Sequence, residues 1–241
     1  MTARLYVTSL SNPSKAAIGM VAHKQLPHRV VNLTSGFHPY LVRAAGFAGS
    51  TVPALKLAGG RRIQGSLAIS RTLDELIAER ALFPRRAAER RAVEDAERWG
   101  HDELQPVPRR MFRYAASRDA GLREWIAADV TKVPAPSLAA RISQPIAARR
   151  SAEAGGEAEI RADVERLPEL LDRVDALVAS AVIGTDRPNA ADFQIFSSVR
   201  VLLDFKALPD FESRPAAEAA RRLFPVYEGE MPFFEIPGAS G

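Results

Sequence analysis

The sequence predicts an α/β domain followed by an all-helical domain. Strand and helix signals alternate over residues 1–79, whereas strand signals almost vanish after residue 85. Hydrophobic residues make up 46% of the 241-residue chain and charged residues 26%, so the chain can bury a core and is expected to be soluble. The change from strands to helices indicates two domains, over residues 1–79 and 86–241, with a linker at residues 80–85.

The first domain is predicted to contain elements in the order β-α-β-(α)-β-β-α. Apolar residues at helical spacing follow the first strand, and a Gly59-Gly60 turn joins two short strands as in a β-hairpin. The predicted elements are strands at 5–8, 29–33, 54–58 and 62–64, helices at 14–25 and 66–78, and one or two helical turns within 36–49. A helix between two neighbouring strands predicts a right-handed, parallel βαβ unit.

The second domain is predicted from helical periodicity and from helix-breaking residues. The predicted helices lie at 86–117, 119–132, 161–181, 190–206 and 215–224. The proline-rich stretch 134–145 and residues 153–156 are expected to form loops or kinks, because proline removes a helical hydrogen bond. Residues 225–241 contain several prolines and glycines and are expected to wrap the surface.

Composition excludes several kinds of site. The chain has no cysteine, which excludes disulfides, thiolate metal sites and a cysteine nucleophile. The histidines also lack the spacing of metal ligands, so no metal is expected. They are His23, His28, His38 and His101.

The charge pattern argues against a nucleic-acid partner. The net charge is only +4, and the most basic stretch, residues 85–98, alternates arginines with acids four positions apart. That spacing is typical of a solvated helix face with ion pairs. No apolar run approaches the ~20 residues that span a bilayer, and the first residues lack the apolar stretch of a secretory signal. No membrane partner and a cytoplasmic location are therefore expected.

Three short patterns place polar groups where predicted elements begin. Ser11 or Ser14 stands at the start of the first helix, where free backbone N–H groups can hold an anion and a hydroxyl can donate a further hydrogen bond. Pro53 follows Val52 at the start of the third strand, and Ser66 opens the next helix. Each pattern alone is equally typical of a structural role, since serine is a common helix N-cap and proline is common in loops.

Together these patterns resemble the N-terminal domain of glutathione transferases, which has a thioredoxin-like fold. Residues 10–16, Leu-Ser-Asn-Pro-Ser-Lys-Ala, resemble the Ser-x-Pro-Cys/Ser-Arg turn of the theta and delta classes. The catalytic serine of those classes matches Ser11, and that of the tau class matches Ser14. Residues 52–55, Val-Pro-Ala-Leu, and 66–69, Ser-Leu-Ala-Ile, match the family's Val-Pro-Ala-Leu and Glu-Ser-x-Ala-Ile.

Two further stretches extend the resemblance along the chain. Residues 24–27, Lys-Gln-Leu-Pro, resemble the Lys-Gly-Leu-Pro that ends the first helix of the family. Residues 184–193 resemble the Gly-x-x-Pro-Thr-x-Ala-Asp capping box of its helical domain, with Asn189 as the cap and Asp192 binding back to the cap N–H. The resemblance therefore covers nearly the whole chain.

The resemblance implies a glutathione S-transferase-like enzyme that is a cytoplasmic homodimer with a role in detoxification. A serine hydroxyl would stabilise the thiolate of glutathione or a similar small thiol, and the thiol would be transferred to a small electrophile without a metal. The implied thiol-binding residues are Val52, Pro53, Gln64, Gly65 and Ser66, with a cis Val52–Pro53 bond. The candidates for the second-substrate pocket, which equally suit core or dimer contacts, are Phe37, Arg110, Met111, Arg113 and Tyr114.

Two departures from the family pattern leave a second class of function open. Gly65 stands where the family usually has an acid, and Thr51 stands where it often has a basic residue. Both losses favour the alternative of a non-catalytic ligand-binding or protein-interaction module with the same fold. Thiol–disulfide oxidoreductase chemistry is disfavoured, because no cysteine can form the mixed disulfide.

Overall fold

The computed structural model describes residues 2–34, 36–205 and 211–225. Its strands are β1 (Ala3–Val7), β2 (His28–Asn32), β3 (Ala54–Lys56) and β4 (Arg62–Gln64). Its α-helices are α1 (Asn12–His23), α2 (His38–Ala44), α3 (Ser66–Leu76), α4 (Ala87–Trp99), α5 (Pro106–Arg118), α6 (Ala120–Trp125), α7 (Pro136–Glu153), α8 (Gly156–Ala179), α9 (Ala190–Leu202) and α10 (Pro215–Leu223). The π-helical segments Gly100–Leu104 and Ile126–Val130 follow α4 and α6. Within these described ranges, no helix is long and apolar enough to cross a membrane.

The described strands form a sheet in the order β2-β1-β3-β4. β1 pairs parallel with β2 and antiparallel with β3, and β3 pairs antiparallel with β4. Leu5 pairs with Leu55 across β1 and β3, and both side chains are fully buried in the core. With α1 between β1 and β2 and α3 after β4, the structure confirms the predicted order of elements.

The limits of α1 are set by its capping residues. Ser11 is the N-cap, and its Oγ accepts a hydrogen bond from the N–H of Ser14 at 3.3 Å. The helix therefore starts at Asn12, two residues before the predicted start. Beyond its end, Gln25 has a left-handed backbone (φ 51°) at the position where the family pattern has glycine.

The chain forms two compact units. The sheet unit comprises Met1–Gln105 and Leu177–Ser198, and the helical unit comprises Pro106–Ala176 and Val199–Gly241. The sheet unit includes the described strands, α1 to α4 and the first part of α9. In the helical unit, α7 packs against α5 and α6. The domain boundaries at residues 79 and 86 stay a prediction.

The prediction of a loop over residues 134–145 holds only for residues 134–135, because the helix α7 begins at Pro136 and continues through Pro145. Pro136 is tolerated in its first turn because an N–H there has no helical partner in any case. Pro145 is exposed, so water can reach the carbonyl that its ring leaves without a donor. Packing of α7 against its neighbours then stabilises the helix more than the proline destabilises it.

Two predicted breaks between helices, near residue 118 and at residues 153–156, are confirmed. The predicted break near residue 118 is confirmed by Asp119, whose side chain caps α6 by accepting a hydrogen bond from the Leu122 N–H at 2.8 Å. The predicted turn before α8 contains Gly155, which has φ 93°. Of the predicted surface tail, residues 226–241 lie outside the described residues.

The stretch before α9 forms the capping box that the sequence predicts. The Asn189 Oδ1 accepts hydrogen bonds from the N–H groups of Ala191 at 2.9 Å and Asp192 at 3.3 Å. The Asp192 carboxylate accepts from the Asn189 N–H at 2.8 Å and from the Gly184 N–H at 2.6 Å. The bonds from Asn189, Ala191 and Asp192 pair N–H groups that a helix start would otherwise leave without partners, and the bond from Gly184 ties the preceding loop to the helix.

Asp192→Ala is expected to lower the free energy of unfolding by about 2 kcal/mol, because two backbone N–H groups lose their acceptor. Urea denaturation followed by circular dichroism measures the loss. Asp186→Ala removes the same charge from an exposed position in the same loop and is expected to change stability by less than about 0.5 kcal/mol. Equal losses in the two variants would contradict the structural role of the box.

Candidate functional site

The three sequence patterns meet at one edge of the sheet. Tyr6, Ala54 and Gln64 form a row across β1, β3 and β4, since Tyr6 pairs with Ala54 and Ala54 with Gln64. Just beyond this row, β1 leads to Ser11 at the N-cap and Ser14 in the first turn of α1, and β4 leads to the start of α3. The loop that enters β3 carries the Val-Pro pair to the same edge. This edge is called the candidate thiol site.

Ser11 and Ser14 differ in their exposure and in their hydrogen bonds. Ser11 is half-buried, and because its Oγ accepts from the Ser14 N–H, its own proton remains available to donate. Ser14 is completely buried, and its Oγ accepts from the Thr8 N–H at 3.5 Å. Of the two serines, Ser11 is the N-cap of α1. A ligand at this edge therefore has access to the Ser11 hydroxyl.

The Val52–Pro53 peptide bond is cis, as the resemblance implied. The Gly65 N–H donates a hydrogen bond to the Pro53 carbonyl at 2.9 Å, which ties this loop to the start of α3. Within the described residues, the backbone N–H and C=O of Val52 make no hydrogen bond. Both groups can therefore pair with a peptide-like ligand, as an added strand would.

The Gln64 side chain supports the loop that leads to Val52. Its Nε2 donates to the Thr51 carbonyl at 2.8 Å, and its Oε1 accepts from the Gly49 N–H at 3.0 Å. Direct contact between this amide and a ligand stays a prediction. In the structure, the oxygen and the nitrogen of the Gln64 amide both bind the backbone of the loop at Gly49 and Thr51 and so hold that loop in place.

Gly65 and Ser66 form the start of α3. Gly65 is the N-cap with φ 90°, a conformation that residues with a Cβ rarely adopt, so glycine here avoids strain but supplies no side chain. Ser66 opens the helix as its first residue and is therefore not the cap. Ser66 is 1% exposed, and its Oγ has no hydrogen-bond partner in the described part of the chain. A buried hydroxyl without a partner is costly, and a bound acceptor would satisfy it.

The candidate residues for a second substrate fall in both units. Phe37 belongs to the sheet unit and is 66% exposed. In the helical unit, Met111 and Tyr114 are buried, and the Tyr114 hydroxyl donates to Glu157 at 3.3 Å. Met111 and Tyr114 are therefore part of the core of the helical unit. Their participation in a pocket stays a prediction.

The two arginines of the predicted pocket have different surroundings. Arg110 donates through Nε to the Asp163 carboxylate at 2.6 Å, and the Asp163 side chain is almost completely buried. Arg113, one turn further along α5, is exposed. Arg110 therefore neutralises a buried acid, whereas the Arg113 side chain is available at the surface.

Asn12 is a residue at the candidate thiol site that the sequence did not single out. It is 4% exposed, and its Nδ2 donates to the Ser198 Oγ at 2.9 Å and to the Gln105 carbonyl at 3.2 Å. These bonds hold the residue next to Ser11 in position. The signal in the sequence was weak: Ser198 is a polar residue inside an apolar helix, which predicts a buried polar network without indicating its partner. No group of three or more metal-ligating side chains occurs among the described residues.

Solved structures with the same architecture come from several organisms. A glutathione S-transferase from Rhodospirillum rubrum F11 is 20% identical, with a TM-score of 0.61 over 93% of this chain and 89% of that chain. A glutathione S-transferase from Methylobacterium radiotolerans, solved in complex with glutathione sulfonate, is 17% identical, with a TM-score of 0.56 over 98% of this chain and 97% of that one. FzlA from C. crescentus is 17% identical, with a TM-score of 0.58 over the full length of both chains.

The chain has the glutathione S-transferase fold. The prediction of a thioredoxin-like domain followed by a helical domain is thereby confirmed. No family model matches the chain, and no curated protein matches it. At these identities the glutathione S-transferase fold is shared.

Proposed function

We propose that the chain binds glutathione or a similar small thiol at the candidate thiol site and transfers it to a small electrophile. The observation that carries this proposal is the buried, unpartnered hydroxyl of Ser66 at the start of α3. The backbone N–H groups of the first turn of α3 lie beside that hydroxyl. The hydroxyl and these N–H groups can together donate hydrogen bonds to a carboxylate. The free backbone groups of Val52 would bind the peptide portion of the same ligand.

Ser11 is the proposed hydrogen-bond donor to the thiolate. A free thiol titrates near pH ~8.5, and each unit by which its pKa falls requires about 1.4 kcal/mol of stabilisation of the thiolate. A hydrogen bond to a charged group supplies about 1.5–3 kcal/mol, and the N-terminus of a helix supplies about 0.3–1 kcal/mol more. The pKa of the bound thiol would therefore fall by about one to three units. The thiolate would attack an electrophilic carbon, and the leaving group would depart with its electron pair.

Further family expectations belong to the same proposal. They are a cytoplasmic homodimer, a role in detoxification, and a second-substrate pocket that involves Phe37 and the α5 residues. Arg113 is exposed and therefore available for such a pocket, whereas Met111 and Tyr114 would have to contribute from the core of the helical unit.

A non-catalytic binding module is the second candidate function. Gly65 supplies no side chain to the site, and the Gln64 amide is engaged with the preceding loop. A ligand would therefore find fewer charged partners at this edge than the family pattern provides. Such a module would use the same fold and the same backbone groups without activating a thiol.

Thermal unfolding in the presence of glutathione and of other small thiols separates these functions. A thiol at 100 times its Kd should stabilise the chain by about 2.7 kcal/mol. Ser66→Ala is expected to weaken binding by about tenfold or more, which lowers that stabilisation to about 1.4 kcal/mol. Without a thiol this variant should be at least as stable as the unmodified chain, because the hydroxyl that it loses has no partner.

Ser70→Ala is the matched control on the same helix. Its hydroxyl is fully buried and bonds to the Glu97 carboxylate at 2.7 Å, so this variant should lose stability without a thiol and keep the full response to one. If no thiol stabilises the unmodified chain, the transferase proposal fails and the binding module is favoured.

A further inference from the structure

A cleft of about 970 Å³ lies in the sheet unit, away from the candidate thiol site. It is bounded by the segment between α3 and α4, by one side of α4, and by the loop before α9. No residue that lines it belongs to the candidate thiol site. Its volume is in the upper part of the range for small-molecule sites, about 300–1,000 Å³.

The rim of this cleft carries an excess of positive charge. The charged residues that line it are Arg80, Arg85, Arg86, Arg187, Glu89 and Asp186, an excess of two positive charges. Arg86 is paired with Glu89 at 3.2 Å, and Arg80 donates to the His23 carbonyl at 3.3 Å. Within the described residues, the side chains of Arg85 and Arg187 have no hydrogen-bond or ion-pair partner. Two arginine forks therefore remain to bind an anion.

The walls of the cleft are apolar below this rim. Phe83 and Val93 line it but are almost completely buried, so the accessible apolar surface comes from the half-buried Ala92, Val182 and Pro188. His23 also lines the cleft, and burial lowers its pKa, so it is neutral at pH 7 and adds no charge. A ligand would therefore contact an apolar surface inside the cleft and positive charges at its rim.

We propose that this cleft binds a phosphate monoester that has an apolar body. A phosphate monoester carries a charge of about −1.5 to −2 at pH 7, which matches the excess of two positive charges on the rim. Guanidinium forks suit phosphate oxygens because they can donate two parallel hydrogen bonds. The apolar body would lie on Ala92, Val182 and Pro188, while Arg85 and Arg187 hold the phosphate.

Isothermal titration calorimetry with 2-naphthyl phosphate tests the proposal. The expected Kd is on the order of 0.1–1 mM for a ligand of this size. Arg85→Ala and Arg187→Ala should each weaken binding about fivefold, and the double variant about 25-fold. Ala92→Phe, which covers the apolar surface inside the cleft, should weaken binding about tenfold or more.

Arg91→Ala is the matched control, because Arg91 is exposed on the same helix as Ala92 and does not line the cleft. It should change the Kd by less than about twofold. The uncharged probe 2-naphthol should bind at least about tenfold more weakly than the phosphate. Binding that is unchanged by the two arginine variants or by Ala92→Phe would overturn the proposal.

The same titration distinguishes this cleft from the candidate thiol site, where α3 also presents free N–H groups. Ser66→Ala should leave binding of 2-naphthyl phosphate unchanged, and both arginine variants should keep the thermal response to thiols. Loss of naphthyl phosphate binding in Ser66→Ala alone would place the probe at the thiol site and overturn the proposal. Failure of the thiol titration would leave this result standing, because the two sites share no residue.

Discussion

Ser11→Gly is expected to lower kcat/KM for thiol transfer about ten- to a hundredfold at neutral pH, because the thiolate loses one hydrogen bond worth about 1.5–3 kcal/mol. Glycine is preferred to alanine here, since glycine at an N-cap costs the helix only a few tenths of a kcal/mol whereas alanine costs about 1 kcal/mol. The measurement is kcat/KM against pH with an aryl halide as the electrophile.

The loss of kcat/KM in Ser11→Gly is expected to depend on pH. Ser11 lowers the pKa of the bound thiol, so its loss raises that pKa by about one to two units. The defect should be complete below the apparent pKa of the unmodified protein and should disappear above that of the variant. A loss of activity that is equal at every pH would indicate damage to the fold and would contradict the proposed role.

Two further variants assign the donor. Ser9→Ala is the matched control, since Ser9 lies in the same turn and its hydroxyl bonds to the Asn32 side chain. This variant should leave the pH profile unchanged. Ser14→Ala tests the alternative serine. If it shifts the profile and Ser11→Gly does not, then Ser14 is the donor despite its complete burial.

Asp74→Ala is expected to lower the free energy of unfolding by about 3–5 kcal/mol. The ammonium group of Lys24 is fully buried, and it donates to the Asp74 carboxylate at 2.8 Å, to the Ile77 carbonyl at 2.7 Å and to the Glu79 carbonyl at 3.1 Å. Removal of Asp74 leaves a buried cation without its counter-charge. It also removes the acceptor of the Leu82 N–H, which is bonded at 2.7 Å. Urea denaturation measures the loss.

Controls separate the buried charge from the general effect of a substitution. Glu75→Ala removes the same charge from the next, exposed residue of α3 and should cost less than about 0.5 kcal/mol. The double variant Lys24→Met/Asp74→Ala removes both charges and should be more stable than Asp74→Ala alone. If the double variant is the less stable of the two, the unpaired charge is not the source of the loss.

Local sequence determined the order of elements, the hairpin at Gly59-Gly60 and the capping box before α9. Each of these features depends on residues that are close together in the sequence, so it can be predicted without knowledge of the tertiary structure. The Asn189–Asp192 pair is the clearest case, because both acceptors and most of the donors lie within four residues.

Where local rules compete, the sequence alone left the outcome open. Ser11 and Ser14 are both plausible caps by residue type, and the extended backbone at Ser11 decided between them. Pro145 predicted a break in α7, but packing inside the helical unit maintains the helix. A proline costs about 3 kcal/mol in a helix interior, and the tertiary contacts of the whole helix can exceed that cost.

The sequence by itself determined which residue types stand at the starts of α1, β3 and α3, and through them the resemblance to the glutathione transferases. Only the tertiary structure decided that Asn12 bonds to Ser198 and that Lys24 pairs with Asp74, 50 residues away. Such pairs join distant segments, and a single sequence carries no local signal of which buried polar group meets which. The sequence alone does not predict the cleft beside α4 for the same reason, because its arginines come from segments about 100 residues apart.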